Sequence, residues 1–479
     1  MTRSRSDETP DDFDLVVIGG GPAGEKGAAQ AAYFGKRVAV VEREKEPGGA
    51  AVHTGTLPSK TLRESALYLS GRRSRTLYGV AVELEARGML QGLMRRKHAI
   101  AVAESARIRQ NLFRHGVELV EGHARFVGPH EVAVTGPDGS VRTLRAEVVL
   151  IATGTKPRQP ADIDFASPLV HDSDEVLLIE ELPRSLTILG AGVIGCEYAC
   201  MFAALGIPVE LVEARDEILG FMDREMVRAL ERSMADLGVR LRLGQAWGAV
   251  TLGTDGESVH TQLGAETLVT HHLLFAAGRT GCTADLGLEH VGVRPTSRGL
   301  LEVDAYYRTA APHVLAAGDV IGFPALASTS MEQARVAVCH AFGFAYKQSV
   351  SGTLPYGIYT IPELSSVGET EESAAAAGLD VVVGRAFFRD NARGQITGDT
   401  EGITKLVVER GTRKIVGVHV FGERASELVH IGQTALMAGA TVDLFIEMVF
   451  NFPTLAESYK YAAYACLAEL AAGTGAVEA

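Results

Sequence analysis

Gly19, Gly21 and Gly24 stand in G-x-G-x-x-G register, and Gly190, Gly192 and Gly195 repeat it. This doubling constrains the fold more than any other feature of the chain. The first copy follows an apolar run at 13–20 (FDLVVIGG), which predicts a strand, and opens an alanine-rich stretch to Phe34, which predicts a helix. Residues 37–42 (RVAVVE) predict the next strand. The second copy repeats the order: strand over 185–190, helix over 193–205, strand over 208–213 (PVELVE). In such a unit the first glycine permits a tight turn. The second lets backbone approach a pyrophosphate, and the third lets helix pack on strand. The helix N-terminus then faces the phosphates. Glu42 follows Gly24 by 18 residues, and Glu213 follows Gly195 by 18. Each acid ends its second strand and can accept hydrogen bonds from an adenosine ribose. A lone glycine fingerprint is a weak signal. Two in matching register, each framed by strands and closed by an acid, are specific. One chain that grips two dinucleotides points to a flavin and a nicotinamide.

The rest of the chain reads around these two units. Residues 62–114 carry Leu, Met and Ile at helical spacing among Arg and Lys, which predicts two amphipathic helices with solvated basic faces rather than an anion site. Segments 117–134 and 141–150 predict strands, with a turn at Gly136-Pro137-Asp138-Gly139. Strand-like VVLIATG ends in Ala152-Thr153-Gly154. Further on, LLFAAGR (273–279) and TAAPHVLAAGD (309–319) each end a strand-like run at a glycine: Gly278 before Arg279, and Gly318 before Asp319. From about Thr353 the pattern changes. Segments 361–368, 385–388, 403–408 and 414–421 read as strands, and 427–439 and 443–449 as helices. Residues 473–479 read as a frayed tail.

Residues 48–60 read GGAAVHTGTLPSK. The stretch resembles the GG-x-C-x4-C-x-P-S-K signature of the FAD-dependent pyridine nucleotide–disulfide oxidoreductases. Gly48, Gly49, Gly55, Pro58, Ser59 and Lys60 match; Ala51 and Thr56 replace the two cysteines. A methyl and a hydroxyl form neither disulfide nor thiolate. The family's closing motif, H-P-T-x-x-E, is matched at 452–457 with Phe452 in place of the histidine and Glu457 kept, and phenylalanine shuttles no protons. The resemblance covers about residues 12–470. It implies an α/β chain with two Rossmann-like dinucleotide-binding domains and a C-terminal α+β dimerisation domain. The expected parts are an FAD domain over 12–155 and 281–352, an NAD(P) domain over 156–280, dimerisation over 353–470, and tails 1–11 and 471–479. It also implies that Thr153-Gly154 closes the first flavin unit, that Gly278 marks the return from the nicotinamide domain, and that Asp319 holds a ribityl hydroxyl. Ala327 then places backbone beside the pyrimidine ring, and Gly49 belongs to the flavin-facing stretch. Without family context, Asp319 reads as a strand-end turn residue; its position after both fingerprint units favours the flavin role.

Lys60 and Glu197 match the family pair at the flavin N5 edge, with Glu197 expected on the first turn of the second fingerprint helix. Such a pair orients the nicotinamide and stabilises charge developing on the flavin. GAGVIGCEYA (190–199), GIYTIPELSSVG (357–368) and FGERASELVHIGQ (421–433) resemble the soluble pyridine nucleotide transhydrogenases among the family's members. A carboxylate at Glu213 favours the NAD ribose and repels a 2′-phosphate, while Arg215 offsets it. The expected function is hydride exchange between NAD(H) and NADP(H) through FAD, without disulfide chemistry. An NAD(P)H:quinone or dye reductase, and a non-catalytic FAD-bearing interaction protein, are the alternatives.

Composition excludes other classes. With 46 basic and 59 acidic residues the formal charge is −13, which argues against nucleic acid and anionic membrane as partners. Five cysteines in 479 residues make no disulfide framework; Cys196 and Cys200 read as buried small residues. Residues 1–12 lack an apolar signal region, and no run of about 18 apolar residues predicts a membrane span. These features suggest the cytoplasm, and the resemblance of the C-terminal part to the family's dimerisation domain implies a homodimer or higher homo-oligomer. The 14 histidines show no metal-ligand spacing, and His271 and His272 are expected on opposite faces of a strand; no metal site is expected.

Overall fold

In a computed structural model, the structure describes residues 11–71, 77–79 and 86–474. The chain forms two compact units. The first comprises residues 1–61, 94–158 and 278–351, and the second residues 62–93, 159–277 and 352–479.

The first unit is built on strand Asp12–Ile18, which pairs in parallel with Val38–Glu42 on one side and with the 11-residue strand Val141–Ile151 on the other. Val38–Glu42 pairs onward with Glu118–Glu121, and the far end of Val141–Ile151 with Val314–Ala316, all parallel. A parallel sheet is covered on both faces, so its strands read as continuous Val, Ile and Leu; Leu15, Val16, Val17, Val40, Leu150 and Ile151 are fully or almost fully buried. The near end of Val141–Ile151 turns antiparallel to Glu131–Thr135, which pairs with His123–Gly128. The expected turn at 136–139 joins them, closed by the Gly136 amide on Ser140 O. Helices Pro22–Tyr33 and Ala327–Phe342 pack together on one face, where Gly27 lies so close to Leu150 and Ala334 that a Cβ would meet them at 2.7 and 3.3 Å.

The second unit repeats the design. Strand Leu186–Leu189 pairs in parallel with Val209–Val212 and with His272–Phe275, followed outward by Val239–Arg242 and Val170–Asp172. Helix Arg224–Leu237, which the sequence reading passed over, packs on this sheet. Asp223 caps it by accepting from the Glu225 and Met226 amides, and Gly238, at φ +95°, ends it. Residues from 352 onward form a five-stranded antiparallel sheet: Tyr356–Ile358, Glu363–Gly368, Ile415–Gly422, Ile403–Glu409 and Val381–Phe387, in that order. Helices Ala425–Met437 and Ser458–Thr474 cover it; the second was also unforeseen. Gly384 sits under that helix, where a Cβ would lie 1.9 Å from Ala462 O.

No helix among the described residues is long and apolar enough to cross a membrane. The two expected helices over 62–114 are Thr56–Leu69 and Ala86–Arg114. Cys196 and Cys200 are buried free thiols, and burial pushes Cys196 well above the ordinary thiol range.

Candidate dinucleotide sites

The first fingerprint is a turn compressed by its neighbours. Gly19, at φ +104°, lies so near the ATG triplet that a Cβ would sit 2.5 Å from Ala152 O; at Gly24 a Cβ would overlap Gly19 O at 1.8 Å. Gly21 differs. Its backbone is extended, and a Cβ would meet nothing nearer than Gly49 Cα at 3.8 Å. The protein itself does not require glycine there, whereas a pyrophosphate lying on that backbone does. Gly21 is the N-cap of helix Pro22–Tyr33 and offers no side-chain cap, so the amides of the first turn face outward for an anion. Glu42 accepts the Gly20 amide through Oε2 at 2.7 Å and the Glu44 amide through Oε1 at 3.0 Å.

Around this turn the structure gathers the other flavin candidates. The Gly48 amide donates to Gly20 O at 3.0 Å, which brings Gly48 and Gly49 against the fingerprint. The signature stretch itself is two helical segments, Gly49–His53 and Thr56–Leu69, with Lys60 half-buried on the second. Thr153 Oγ1 is buried with no hydrogen-bond partner, and Gly154 takes φ +67° with open space around it. Gly318 abuts Ala23 of the fingerprint helix, so Asp319 lies at its start. Burial pushes the Asp319 carboxyl up, against the pull of Arg279 and a 3.3 Å hydrogen bond from Thr155 Oγ1. Arg279 in turn donates to Thr155 Oγ1 and O at 2.8 Å each. This Arg279–Thr155–Asp319 chain was missed; its signal was the Arg closing LLFAAGR. Ala327 begins helix Ala327–Phe342, whose N-cap Leu326 provides no side-chain cap. Gly278, at φ +115°, accepts the Arg158 amide at 3.1 Å on the border of the unit. An orphaned hydroxyl, an uncapped helix and a glycine the protein does not need fit a bound dinucleotide.

The second site copies the first. At Gly195 a Cβ would overlap Gly190 O at 1.8 Å, and Gly192 is extended with nothing within 4 Å of a Cβ. Glu213 Oε2 accepts the Ala191 amide at 2.9 Å, and Oε1 accepts the Arg215 amide at 3.2 Å. Arg215 adds a fork: Nε to Oε1 at 3.0 Å and Nη2 to Oε2 at 3.1 Å. Burial pushes the Glu213 carboxyl up, but this guanidinium and the two amides hold it below its ordinary range. Glu197 is the fifth residue of helix Val193–Ala204, so it starts the second turn rather than lying on the first. It is buried, and its Oε1 accepts the Tyr359 amide at 2.9 Å.

The pyridine nucleotide-disulphide oxidoreductase model matches residues 13–341, and that family's dimerisation-domain model matches residues 354–463. The chain belongs to the pyridine nucleotide-disulphide oxidoreductase family. It is an enzyme of the FAD-dependent kind that acts on nicotinamide nucleotides. It is 44% identical over 453 residues to the soluble pyridine nucleotide transhydrogenase of Mycobacterium bovis, covering 94% of this chain and 96% of that relative. It is 41% identical over 456 residues to the protein of the same name in Shigella flexneri, covering 94% and 97%. Among solved structures, LpdA from Mycobacterium tuberculosis superposes with a TM-score of 0.86 at 30% identity, over 94% of this chain and 99% of that one. The dimerisation domain exposes Val449, Phe452, Tyr461 and Tyr464, apolar side chains of the kind a homodimer interface covers.

One expectation is corrected. His271 and His272 do not point to opposite faces of a strand. The strand begins at His272, so the alternation of side chains does not apply to His271, and the two rings lie 4.4 Å apart.

Proposed function

We propose that this protein is a soluble pyridine nucleotide transhydrogenase of the cytoplasm, working as a homodimer and exchanging hydride between NAD(H) and NADP(H) without disulfide chemistry. The observation that carries the reading is the Glu213–Arg215 fork. Its carboxylate suits the two ribose hydroxyls of NAD, and its guanidinium, 60% exposed, is free to turn to the 2′-phosphate of NADP. A transhydrogenase needs one site that takes both nucleotides in turn. The names of the M. bovis and S. flexneri relatives support the same reading.

FAD, when bound, supplies a carrier that takes hydride from one nucleotide and yields it to the next. The chain's residues hold and orient. Gly19, Gly21, Gly24, Glu42, Gly49, Thr153, Gly154, Asp319 and Ala327 are assigned to the flavin nucleotide. Gly190, Gly192, Gly195, Glu213, Arg215 and Gly278 are assigned to the nicotinamide nucleotide and its domain. Lys60 supplies positive charge and Glu197 an acceptor for the nicotinamide carboxamide. The domain limits given above, 12–155 with 281–352, 156–280 and 353–470, are proposed as the functional division. Ala51 and Thr56 leave no thiol for a disulfide substrate to meet.

The test is anaerobic rapid mixing. NADPH is expected to bleach the flavin absorbance, and NAD+ added afterwards to restore it. No absorbance from a thiolate–flavin contact is expected at any stage. If millimolar NADPH leaves the flavin oxidised, transhydrogenation is wrong, and NADH-dependent reduction of a quinone takes its place.

A further inference from the structure

Glu181, His271 and His272 meet at the N-terminal edge of the second unit's parallel sheet. Glu181 lies between the short helix Glu175–Leu178 and strand Leu186–Leu189, and the two histidines lead into strand His272–Phe275. One ligand atom from each lies within 4.8 Å of the other two. His272 is 4% exposed, and its Nδ1 is 2.9 Å from Nε2 of His171. Its own Nε2 is buried with no hydrogen-bond partner. Such an orphaned polar atom is costly in a folded protein and calls for something to satisfy it.

We propose that Glu181, His271 and His272 form a binding site for a divalent transition metal of the zinc type, with His171 orienting His272 from behind. The surroundings of the cluster support this site. Nε2 of His171 lies 2.9 Å from Nδ1 of His272, in place to accept the Nδ1–H. That is the hydrogen bond by which a second residue fixes the tautomer of a metal-ligating histidine. Glu181 is exposed and has room to move. Zinc–ligand bonds of about 2.0–2.1 Å imply ligand separations near 3.3 Å, so no pair of the three ligand atoms has more than about 1.5 Å to close. The Arg184 guanidinium, which would oppose a cation, is paired with Glu257 at 3.0 Å.

Three protein ligands leave a fourth position for water. The site is one strand length, about 13 Å at 3.3 Å per residue, from the fingerprint at the other end of Leu186–Leu189. The metal therefore ties together the two chain segments that enter the central strands, and takes no part in hydride transfer.

Equilibrium dialysis of tag-free holoenzyme, stripped with a chelator and titrated with zinc, tests the proposal. The expected result is one zinc per chain, retained at micromolar free metal. His271→Ala and Glu181→Gln, both on accessible side chains, are expected to weaken that zinc by at least about tenfold, with flavin content and hydride exchange unchanged. His171→Ala is expected to weaken it as well, although no ligand is removed. If wild-type protein holds no stoichiometric zinc at about 100 µM, or if either ligand variant binds it as tightly as wild type, the proposal is wrong.

Discussion

The two dinucleotide cradles are copies in backbone and opposites in one side chain. In each, a Cβ on the third glycine would lie 1.8 Å from the carbonyl of the first, and each acid is held by the amide of the residue between the first two glycines. In each, the acid also accepts the amide two residues ahead. That residue is Glu44 in the first cradle and Arg215 in the second. A carboxylate repels phosphate and suits a site that keeps one adenosine ribose permanently. A guanidinium paired to the acid suits a site that must accept a ribose with or without a phosphate. Two identical scaffolds thus diverge by the sign of one charge.

They diverge also in their anchoring. Behind the second cradle, Lys405 is fully buried, with Nζ 2.7 Å from Asp223, 3.0 Å from Glu225 and 3.1 Å from Glu371; Arg385 joins the same two glutamates. Asp223 is the cap of the helix packed on the nucleotide sheet. Lys405→Met is expected to cost about 3–5 kcal/mol, because it strands a buried carboxylate. Thermal unfolding of the second unit should drop by on the order of 10 °C, with FAD content preserved. Adding Asp223→Asn should recover part of the loss. Burial pushes the Asp223 carboxyl up, but His419, then Lys405 and the Met226 amide, hold it below its ordinary range; burial pushes Lys405 down, but its carboxylates hold it above. The stabilisation is therefore present between the ordinary carboxylate and lysine ranges. It is lost as pH falls through the depressed Asp223 value, or rises through the raised Lys405 value. Melting curves of wild type and Lys405→Met that differ by less than 1 kcal/mol at neutral pH would remove the anchor from the comparison.

The copies were legible in sequence because their determinants are local. Glycine spacing, flanking apolar runs and a trailing acid all fall within 30 residues, and the strands appear within a residue or two of their expected ends. The lost thiols at Ala51 and Thr56 were equally plain. The buried cluster was not, because Lys405 in ITKLVVE reads as an outward-facing residue of an alternating strand. Only its contact with Asp223, 182 positions away, gives it a buried role. Helix Arg224–Leu237 did carry its own signals, Asp223 before it and Gly238 after it, and they went unused. The His271–His272 pair was misjudged because a strand was assumed one residue too early. The Arg279–Thr155–Asp319 chain joins three segments far apart in sequence, so no spacing announces it.

The charge difference between the cradles has a direct test. Arg215→Glu gives the second cradle the pattern of the first. A charge-assisted hydrogen bond is worth about 1.5–3 kcal/mol, or on the order of tenfold to a hundredfold. Arg215 is 60% exposed, which places the effect near the lower end. kcat/KM for NADPH is expected to fall about tenfold or more, with NADH changing little. Glu213→Ala should move the ratio the other way, weakening NADH and narrowing the preference. Steady-state kinetics with both nucleotides decide it; an unchanged ratio in Arg215→Glu would mean that the 2′-phosphate lies elsewhere.

The smallest effect on stability separates what the fold needs from what the ligands need. Gly21 and Gly192 have extended backbones and no close neighbour for a Cβ. Alanine at either position should leave the fold intact, or stabilise it by up to about 0.4–1 kcal/mol through the unfolded chain. Gly195→Ala is the control, since its Cβ overlaps Gly190 O at 1.8 Å and must push helix from strand, at about 1–3 kcal/mol. Ligand binding should split the first two variants apart. Gly21→Ala is expected to fold but to lose FAD on gel filtration, while Gly192→Ala keeps its flavin and shows a raised KM for both nicotinamide nucleotides. Because the added methyl meets the pyrophosphate rather than the ribose, the NADH/NADPH ratio should stay at its wild-type value, unlike the ratio in Arg215→Glu. A Gly192→Ala enzyme with wild-type KM would mean that the pyrophosphate does not rest on this backbone, and the likeness between the cradles would then be one of fold alone.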